Sequence, residues 1–584
     1  MVMEITEIDK VLADVGLRSP ALHCLEPNEE LYRVLLMQPE GHILANAEGV
    51  RNENADLARM QFQLFLEEAA RTRADLVIAP EYSTPWDAIA NCIEADCLPP
   101  EGALWVLGCE SIRIGDLDAL ARRLEPRAIV VREDLPSEGR LFTDPLAYIF
   151  RARPTTGNGA TRTVLLVQFK TTPMGDPDNF EVKNLQRGSR VYKFGGGPRE
   201  LSLVSLVCSD AFEFKAHVTK LYDRALVIHI QLNQNPRHHQ YRGYREDLFG
   251  FPGDATELIC LNWAHNIQEC CGAKTRCWKN IGGSAWYAKS QQLDVRDEAL
   301  NENHKRGLYY TWLGSAKAHA LFFNFAPATY MLAATKVAHL GVPAPKSHRL
   351  GPRLLKTHFW DPTSNKWAEQ EVVDDGFSSV CCQSGPAEQT LAQIAVRNPL
   401  EVERLLALSA GELVLREDWH DVRYLDSVGI DGRELIRRIT FCQDQDNEVK
   451  EFRVARLKRC AHLWNILRGE PLPPALRDLR DGFTMEWSPQ TPHQNVTATS
   501  SNRRATAIYL GEDASSEKAN EVEKTVTELL RRSLPEPEMR RIACQRVGVW
   551  FRGCDGKIAY LDRPQYRQFD TAADTSEFDI GRQE

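Results

Sequence analysis

Residues 201–210 read LSLVSLVCSD, an apolar run broken only by Ser202 and Ser205 and closed by Cys208, Ser209 and Asp210. A run this short and this uniformly apolar predicts a strand buried on both faces, as in a parallel sheet covered by other layers. Two more such runs flank it. ALVIHIQL at 225–232 follows after a short helical crossover, and TVLLVQF at 163–169 precedes it and stops at Lys170. Further upstream, RVLLM (33–37), DLVIA (75–79), ALWVLG (103–108) and LAYIF (146–150) read as strands, the last paired with 163–169 across the turn-rich PTTGNGATR. Residues 55–72 place Leu57, Met60, Leu64 and Phe65 at helical spacing, and 116–123 reads as a second, shorter amphipathic helix. Strands and helices alternating in this way predict an α/β layer architecture for residues 1–345.

Three reactive side chains fall at equivalent places in that pattern. Glu81, Lys170 and Cys208 each stand at the C-terminal end of a buried strand, where α/β sheets collect catalytic groups. The chemistry is complementary. A thiol with an ordinary pKa of about 8.5 is mostly protonated at neutral pH, so a nucleophilic cysteine needs a base or a nearby cation. Glu81 suits the first role. Attack on an amide or nitrile carbon builds negative charge that the Lys170 ammonium and the Ser209 backbone N–H are placed to stabilise. Taken singly, a strand-end Glu or Lys is usually solvated and a Cys after an apolar run is usually core, so the combination carries the reading.

Composition narrows the field. The chain has 584 residues, too many for one core, and roughly 150 residues per domain predicts several units. Hydrophobic residues make up 43% and charged residues 26%, which is the composition of a folded globular protein. A net charge of −10 gives no general attraction to nucleic acid or anionic lipid. The most apolar long window, 320–334, is shorter than the roughly 20 residues a spanning helix needs, and the opening MVMEITEIDKVL lacks the features of a secretory signal. A cytoplasmic location is expected. In a reducing compartment the fifteen cysteines, scattered without a repeated CxxC, predict neither a disulfide framework nor a ribbon-type zinc site.

The three strand ends resemble the nitrilase, or carbon–nitrogen hydrolase, superfamily over about residues 30–335. The matching segments are DLVIAPEYSTP with Glu81, VLLVQFK with Lys170 and LVSLVCSDAFEF with Cys208, supported by RVLLMQP, LQRGSRVYKF around Gly188 and GGSAWYAK at 282–289. That resemblance implies a nitrilase-like αββα sandwich, a Glu81-Lys170-Cys208 triad, and a covalent thioester-type intermediate on Cys208 in the cleavage of a non-peptide C–N bond of an amide, carbamoyl or nitrile small molecule. It also implies pairing into a homo-oligomer, with the apolar stretch 320–326 as a surface to protect, and needs no cofactor or metal. Glu181 matches the second glutamate that members often carry after the lysine, with a surface carboxylate as the other reading. Departures are present: Ser209 replaces the Tyr that usually follows the nucleophile, and Phe212 to Lys215 replace an Arg-Phe-Pro-Glu stretch. These bear on substrate class. An oligomeric scaffold or signalling module, in bacterial defence for example, with the C-terminal half binding a protein partner, is the alternative.

Other motifs are weaker. FGGGPRE at 194–200 lacks the GK[ST] of a phosphate loop. CLNWAHNIQECCGAKTRCW (260–278) crowds soft ligands around His265 without zinc spacing. RHHQYRGYR (237–245), following the strand after the nucleophile, reads as a loop over the pocket or as plain surface, with Asn235, Arg237 and His238 as candidate substrate neighbours. LGVPAPKSHRLGP marks a domain boundary near 345. Beyond it, 346–487 predicts an α+β domain: a hairpin about Asp361-Pro362, helices over 388–394 and 400–408, and a longer one over 450–467 whose Arg453, Arg456, Lys458 and Arg459 form a basic side, solvated or facing an acidic partner. The polar stretch 488–504 reads as a linker, 505–568 as a small α/β unit and 569–584 as a disordered tail.

Overall fold

The computed structural model describes residues 3–335, 352–370, 385–412 and 447–561, apart from 27–29, 136–138, 157–158, 176–179, 197–200, 215–223, 234–238, 251–254, 265, 272–273, 280–282, 289–301, 304–305, 314–317, 325, 398, 489, 513 and 554. The chain divides into two compact units, one of residues 1–373 with 429–432 and the other of 374–428 with 433–584. Both are mixed α/β.

The first unit holds two large sheets. One orders its strands Lys366–Glu369, Arg353–Asp361, Ala328–Thr335, Leu31–Gln38, Leu76–Thr84, Leu104–Cys109, Pro145–Ala152, Arg162–Phe169 and Ala128–Arg132. Helices Ala55–Thr72, Trp86–Glu94 and Ile114–Leu124 pack on it through Phe62, Phe65, Leu66, Ile89, Ile93 and Leu117 against Val77, Trp105 and Ile149. The Asn54 side chain accepts a hydrogen bond from Leu57 N at 3.1 Å and so starts the first of these helices. The second sheet runs Glu4–Glu7, Arg190–Gly195, Ser202–Val207, Arg224–Ile230, Ala255–Leu261, Ala285–Ala288, Ala318–Phe323 and Leu308–Leu313. Its strands 202–207, 224–230 and 255–261 are parallel neighbours, as the apolar runs predict.

Side chains of the two sheets meet directly. The Gln168 amide donates to Ser205 O at 2.9 Å while its oxygen accepts from Tyr192 N at 3.0 Å, and the Tyr148 and Phe194 rings lie 5.0 Å apart. A smaller sheet of Lys274–Lys279, Asn266–Cys271, Gly41–Asn46 and Gly49–Asn52 completes the unit.

Several sequence expectations shift. The hairpin 353–369 is formed as predicted, but Arg353–Asp361 pairs with Ala328–Thr335 and extends the first unit's sheet, so the boundary lies beyond 345. The stretch 488–504 is no linker: Val496–Ala498 pairs with Phe483–Met485 and Arg504–Tyr509 in a sheet completed by Val547–Arg552 and Ile558–Tyr560. Its polar residues are internal partners. Asn495 both accepts from Ala507 N (2.9 Å) and donates to Ala507 O (2.8 Å), standing in for a ladder rung. Nor is 505–568 separate, since Leu391, Leu405, Trp464 and Trp550 share one core across 387–560. The helices over 388–394, 400–408 and 450–467 are observed as Pro386–Arg397, Pro399–Ser409 and Asn447–Gly469. On the last, Arg456 Nε donates to Glu412 at 2.7 Å, and Arg459 lies 3.4 Å from the same carboxylate, so part of the basic side is satisfied internally. Residues 569–584 lie outside the described residues.

Ala320, Leu321, Phe322 and Phe323 are buried in the penultimate strand of the eight-stranded sheet, between Ala285–Ala288 and Leu308–Leu313. The apolar surface offered as a reason for self-association is therefore covered within one chain. No helix among the described residues is long and apolar enough to cross a membrane.

Candidate active site

Glu81 sits in an irregularity of its strand. The register with Leu104–Cys109 shifts between Ala79 and Thr84, Tyr82 takes a left-handed φ of 59°, and Ser83 Oγ donates to Pro80 O at 2.6 Å. The bulge re-aims the Glu81 side chain, and its backbone crowds the neighbouring strand so closely that a Cβ at Gly108 would lie 2.2 Å from Pro80 O. Trp263 Nε1 donates to Glu81 O at 2.7 Å and pins the bulge from the other sheet.

Lys170 follows the strand Arg162–Phe169 and is wholly buried. Its N–H donates to Asp144 O (2.9 Å), and its carbonyl accepts from Gly188 N (3.0 Å). A Cβ at Gly188 would lie 2.6 Å from Phe169 O and 2.5 Å from Glu133 Oε1, which explains the glycine. Lys170 Nζ donates to Glu81 Oε1 at 2.7 Å and to Glu181 Oε1 at 2.8 Å, with Asp144 Oδ2 at 3.4 Å. Burial opposes the ammonium, but Glu181, Glu81 and Asp144 together raise its pKa well above the ordinary lysine value. Glu181 is itself held by the Tyr82 hydroxyl (2.9 Å) and Met174 N (2.5 Å), and Glu81 Oε2 accepts from Leu232 N (2.5 Å). The surface reading of Glu181 is thereby corrected: it is buried and bonded to the lysine because its short helix, Phe180–Asn184, turns the carboxylate inward.

Oxygens of Glu81, Asp144 and Glu181 lie within 4.8 Å of one another, a spacing that suits a cation. The Lys170 ammonium, 2.7–3.4 Å from all three, fills that role. Three carboxyls face one ammonium in a buried pocket, so retention of a proton lowers the electrostatic cost. Burial, then the Glu81 charge, push the Asp144 pKa well above the carboxylate range.

Cys208 lies immediately after Ser202–Val207 at a left-handed φ of 43°, strained for an L-residue. Its N–H donates to Ile230 O at 2.8 Å, and its carbonyl lies 2.9 Å from His229 Nε2. Burial lowers the pKa of His229 to about 3, so the imidazole is neutral and donates Nε2–H to that carbonyl. Cys208 Sγ is 3.4 Å from the Tyr241 hydroxyl. Burial, then the Glu81 charge, raise the thiol pKa well above its ordinary value, with Lys170 and Tyr241 pulling it back, so the resting group is a thiol that both charges can address.

Asp210, two residues on, ties the elbow to the lysine loop. Its Oδ1 accepts from Thr171 N, Thr171 Oγ1 and Thr172 N, each at 2.9 Å. Burial raises its pKa to about 6 despite these donors. The Ser209 hydroxyl is spent on Thr172 O (2.5 Å), whereas its backbone N–H makes no hydrogen bond among the described residues. The structure thus brings Glu81, Lys170, Glu181, Cys208 and Ser209 together. Asn235, Arg237, His238 and Lys215 lie outside the described residues, as does His265.

Sequence reasoning missed Asp144, His229 and Tyr241. Asp144 precedes a strand and looks like a turn residue, and His229 sits inside an apolar run. Tyr241 had a readable signal: Tyr241, Tyr244, Arg245, Leu248 and Phe249 follow helical spacing, and all five are buried on one face of the helix His239–Gly250, where a loop was expected.

No family model matches the chain, and no curated protein matches it. Solved structures overlap it in part. A glutamine-dependent NAD+ synthetase from Acinetobacter baumannii in complex with ADP aligns with a TM-score of 0.30 and 12% identity over 66% of this chain. The chain spans only 56% of that synthetase's length. A CN-hydrolase superfamily protein from Xanthomonas campestris, carrying an arsenic adduct in its active site, aligns with a TM-score of 0.26 and 13% identity over 44% of this chain and 82% of that one.

Proposed function

We propose that the first unit is a nitrilase-like αββα sandwich acting as a cysteine hydrolase of non-peptide C–N bonds in small molecules, in the cytoplasm and without a cofactor. The observation that carries the reading is the buried Lys170 held between Glu81 and Glu181, with their charges bearing on a thiol at a strained strand end. Strain of that kind persists where the surrounding structure over-determines it, and functional sites are where it collects.

Glu81 takes the proton from Cys208 Sγ as sulfur attacks the carbonyl carbon, and the carbonyl π pair moves to oxygen. Lys170 Nζ and Ser209 N–H stabilise that oxygen. Collapse of the tetrahedral centre breaks the C–N bond, Glu81 returns the proton to the departing nitrogen, and an acyl thioester remains on Cys208. Water, deprotonated by Glu81, attacks the thioester, sulfur leaves, and the proton returns to it, releasing the acid. A nitrile instead takes the sulfur to give a thioimidate, which adds one water and expels ammonia to reach the same thioester, and a second water then releases the acid.

The test is ammonia release across a panel of primary amides, nitriles and N-carbamoyl compounds. Turnover of at least one class that Cys208→Ala abolishes supports the reading. Turnover that survives this substitution, or none across the panel while every triad variant keeps the protein's biological activity, replaces it with the scaffold reading.

A further inference from the structure

The helix His239–Gly250 contributes a group that the triad does not contain. Tyr241 lies in its first turn with its ring packed on Phe212 (4.7 Å) and near His229 (5.9 Å), so both elements that shape the Cys208 turn also fix the phenol. The phenol oxygen is 3.4 Å from Cys208 Sγ, and both residues are only 1% exposed. The rest of the helix's buried face anchors it: Tyr244 stacks edge-on with Phe214, and the Arg245 guanidinium lies 5.7 Å over the Tyr287 ring.

We propose that Tyr241 is a fourth catalytic residue, whose hydroxyl donates to Cys208 Sγ and holds the thiolate once Glu81 has taken the proton. The inference rests on the thiol-nucleophile reading above.

The physical asymmetry favours this role. A thiol sulfur is a weak acceptor, whereas a thiolate accepts a charge-assisted hydrogen bond of roughly twice the strength of a neutral one. A donor fixed at the sulfur therefore favours the ionised form over the resting one. Burial, then the nearby cysteine, raise the Tyr241 pKa well above the usual phenol value, so Tyr241 stays a donor throughout. Lys170 cannot serve alone, because two of its three donors are taken by Glu81 and Glu181. The charged or titratable groups bearing on the sulfur are Glu81, Lys170, Glu181 and Tyr241, from four separate segments. Among the described residues, Tyr241 alone of these is in hydrogen-bond contact with it. When the tetrahedral centre forms, the sulfur becomes a neutral thioether-like atom and the bond weakens, leaving the phenol beside the substrate.

The experiment is the pH profile of Cys208 alkylation by iodoacetamide, read by peptide mass spectrometry, for the wild type, Tyr241→Phe and Tyr241→Leu. Phe keeps the ring and its packing. Its midpoint should rise by about one pH unit, with about tenfold slower alkylation below the midpoint. Leu removes the cover as well, so it should raise the limiting rate by improving access while showing the same displaced midpoint. A Tyr241→Phe midpoint equal to the wild type's overturns the inference while leaving the nucleophile reading intact. A wild-type Cys208 no more reactive at any pH than the buried Cys109 overturns both.

Discussion

Lys170 Nζ lies 2.7 Å from Glu81 Oε1, and this bond joins the two ends of strands that sit in the same sheet but are separated by Leu104–Cys109 and Pro145–Ala152. Neither side chain is more than 1% exposed. A pair so deeply buried is costly unless every remaining donor and acceptor is used. Here Glu181 and the Leu232 N–H supply partners, and Asp144 lies 3.4 Å from the ammonium as a further carboxyl without a side-chain hydrogen bond among the described residues. Lys170→Met should consequently leave the Glu81 and Glu181 carboxylates buried without their cation, lowering stability by roughly 3–5 kcal/mol in denaturant titration. Turnover should fall on the order of 10²-fold or more, the cost of a lost transition-state donor.

Asp144→Asn should have the opposite effect on stability. The folded-state pKa of Asp144 is raised, so the unfolded chain loses this proton first and the group's contribution declines as pH rises from about 4 toward the folded value. Asparagine removes that penalty while keeping the shape. A melting temperature at pH 7 above the wild type's, with the difference vanishing near pH 4, is the expected outcome.

His229 provides the reverse pH slope. Its folded pKa of about 3 lies below the ordinary value near 6.5, so the unfolded state binds the extra proton and stability is lost as pH falls through that window. His229→Gln should flatten the wild-type loss between about pH 6.5 and 3, measured by chemical denaturation at several pH values. It should also cost about 1 kcal/mol at pH 7 through the weakened hold on the Cys208 carbonyl.

Much of this arrangement is legible in the sequence, because strand ends are. The apolar runs at 33–37, 75–79, 103–108, 163–169 and 202–207 all form strands, and Glu81, Lys170 and Cys208 stand at or just beyond their ends. What sequence hides is partnership at a distance. Asp144 is joined to Lys170 only by tertiary folding, and His229 reads as one residue in a buried run until the Cys208 carbonyl meets its ring. The stretch 488–504 misleads for the same reason: Asn495 and Thr506 are polar in sequence but spend their polarity inside, Thr506 Oγ1 on His493 O at 2.6 Å.

The strain at Cys208 is measurable. At φ 43° an L-residue costs roughly 1–2 kcal/mol that glycine does not. Cys208→Gly should be more stable than Cys208→Ala by about 1 kcal/mol, although glycine is the smaller side chain and both lack the sulfur. Equal stabilities would mean that the turn carries no strain.

Asp210→Ala should strip the acceptor from Thr171 N and Thr172 N, costing about 2 kcal/mol through unsatisfied buried donors. Because those residues follow Lys170 directly, turnover should fall with stability. Asp210→Asn, which keeps one acceptor oxygen, should recover part of both, as read from the melting temperature and ammonia release.

The central claim is that burial of Cys208 conceals a nucleophile rather than a core thiol, and competitive labelling addresses it most directly. The whole protein, treated with substoichiometric iodoacetamide at neutral pH and digested, reports the relative rate at each cysteine by peptide mass spectrometry. The account predicts that Cys208, although buried and a resting thiol, is labelled before the exposed Cys277 because Glu81 takes its proton as the sulfur attacks, and long before the buried Cys109, whose pKa burial also raises. Labelling of Cys277 first, with Cys208 as inert as Cys109, would contradict it.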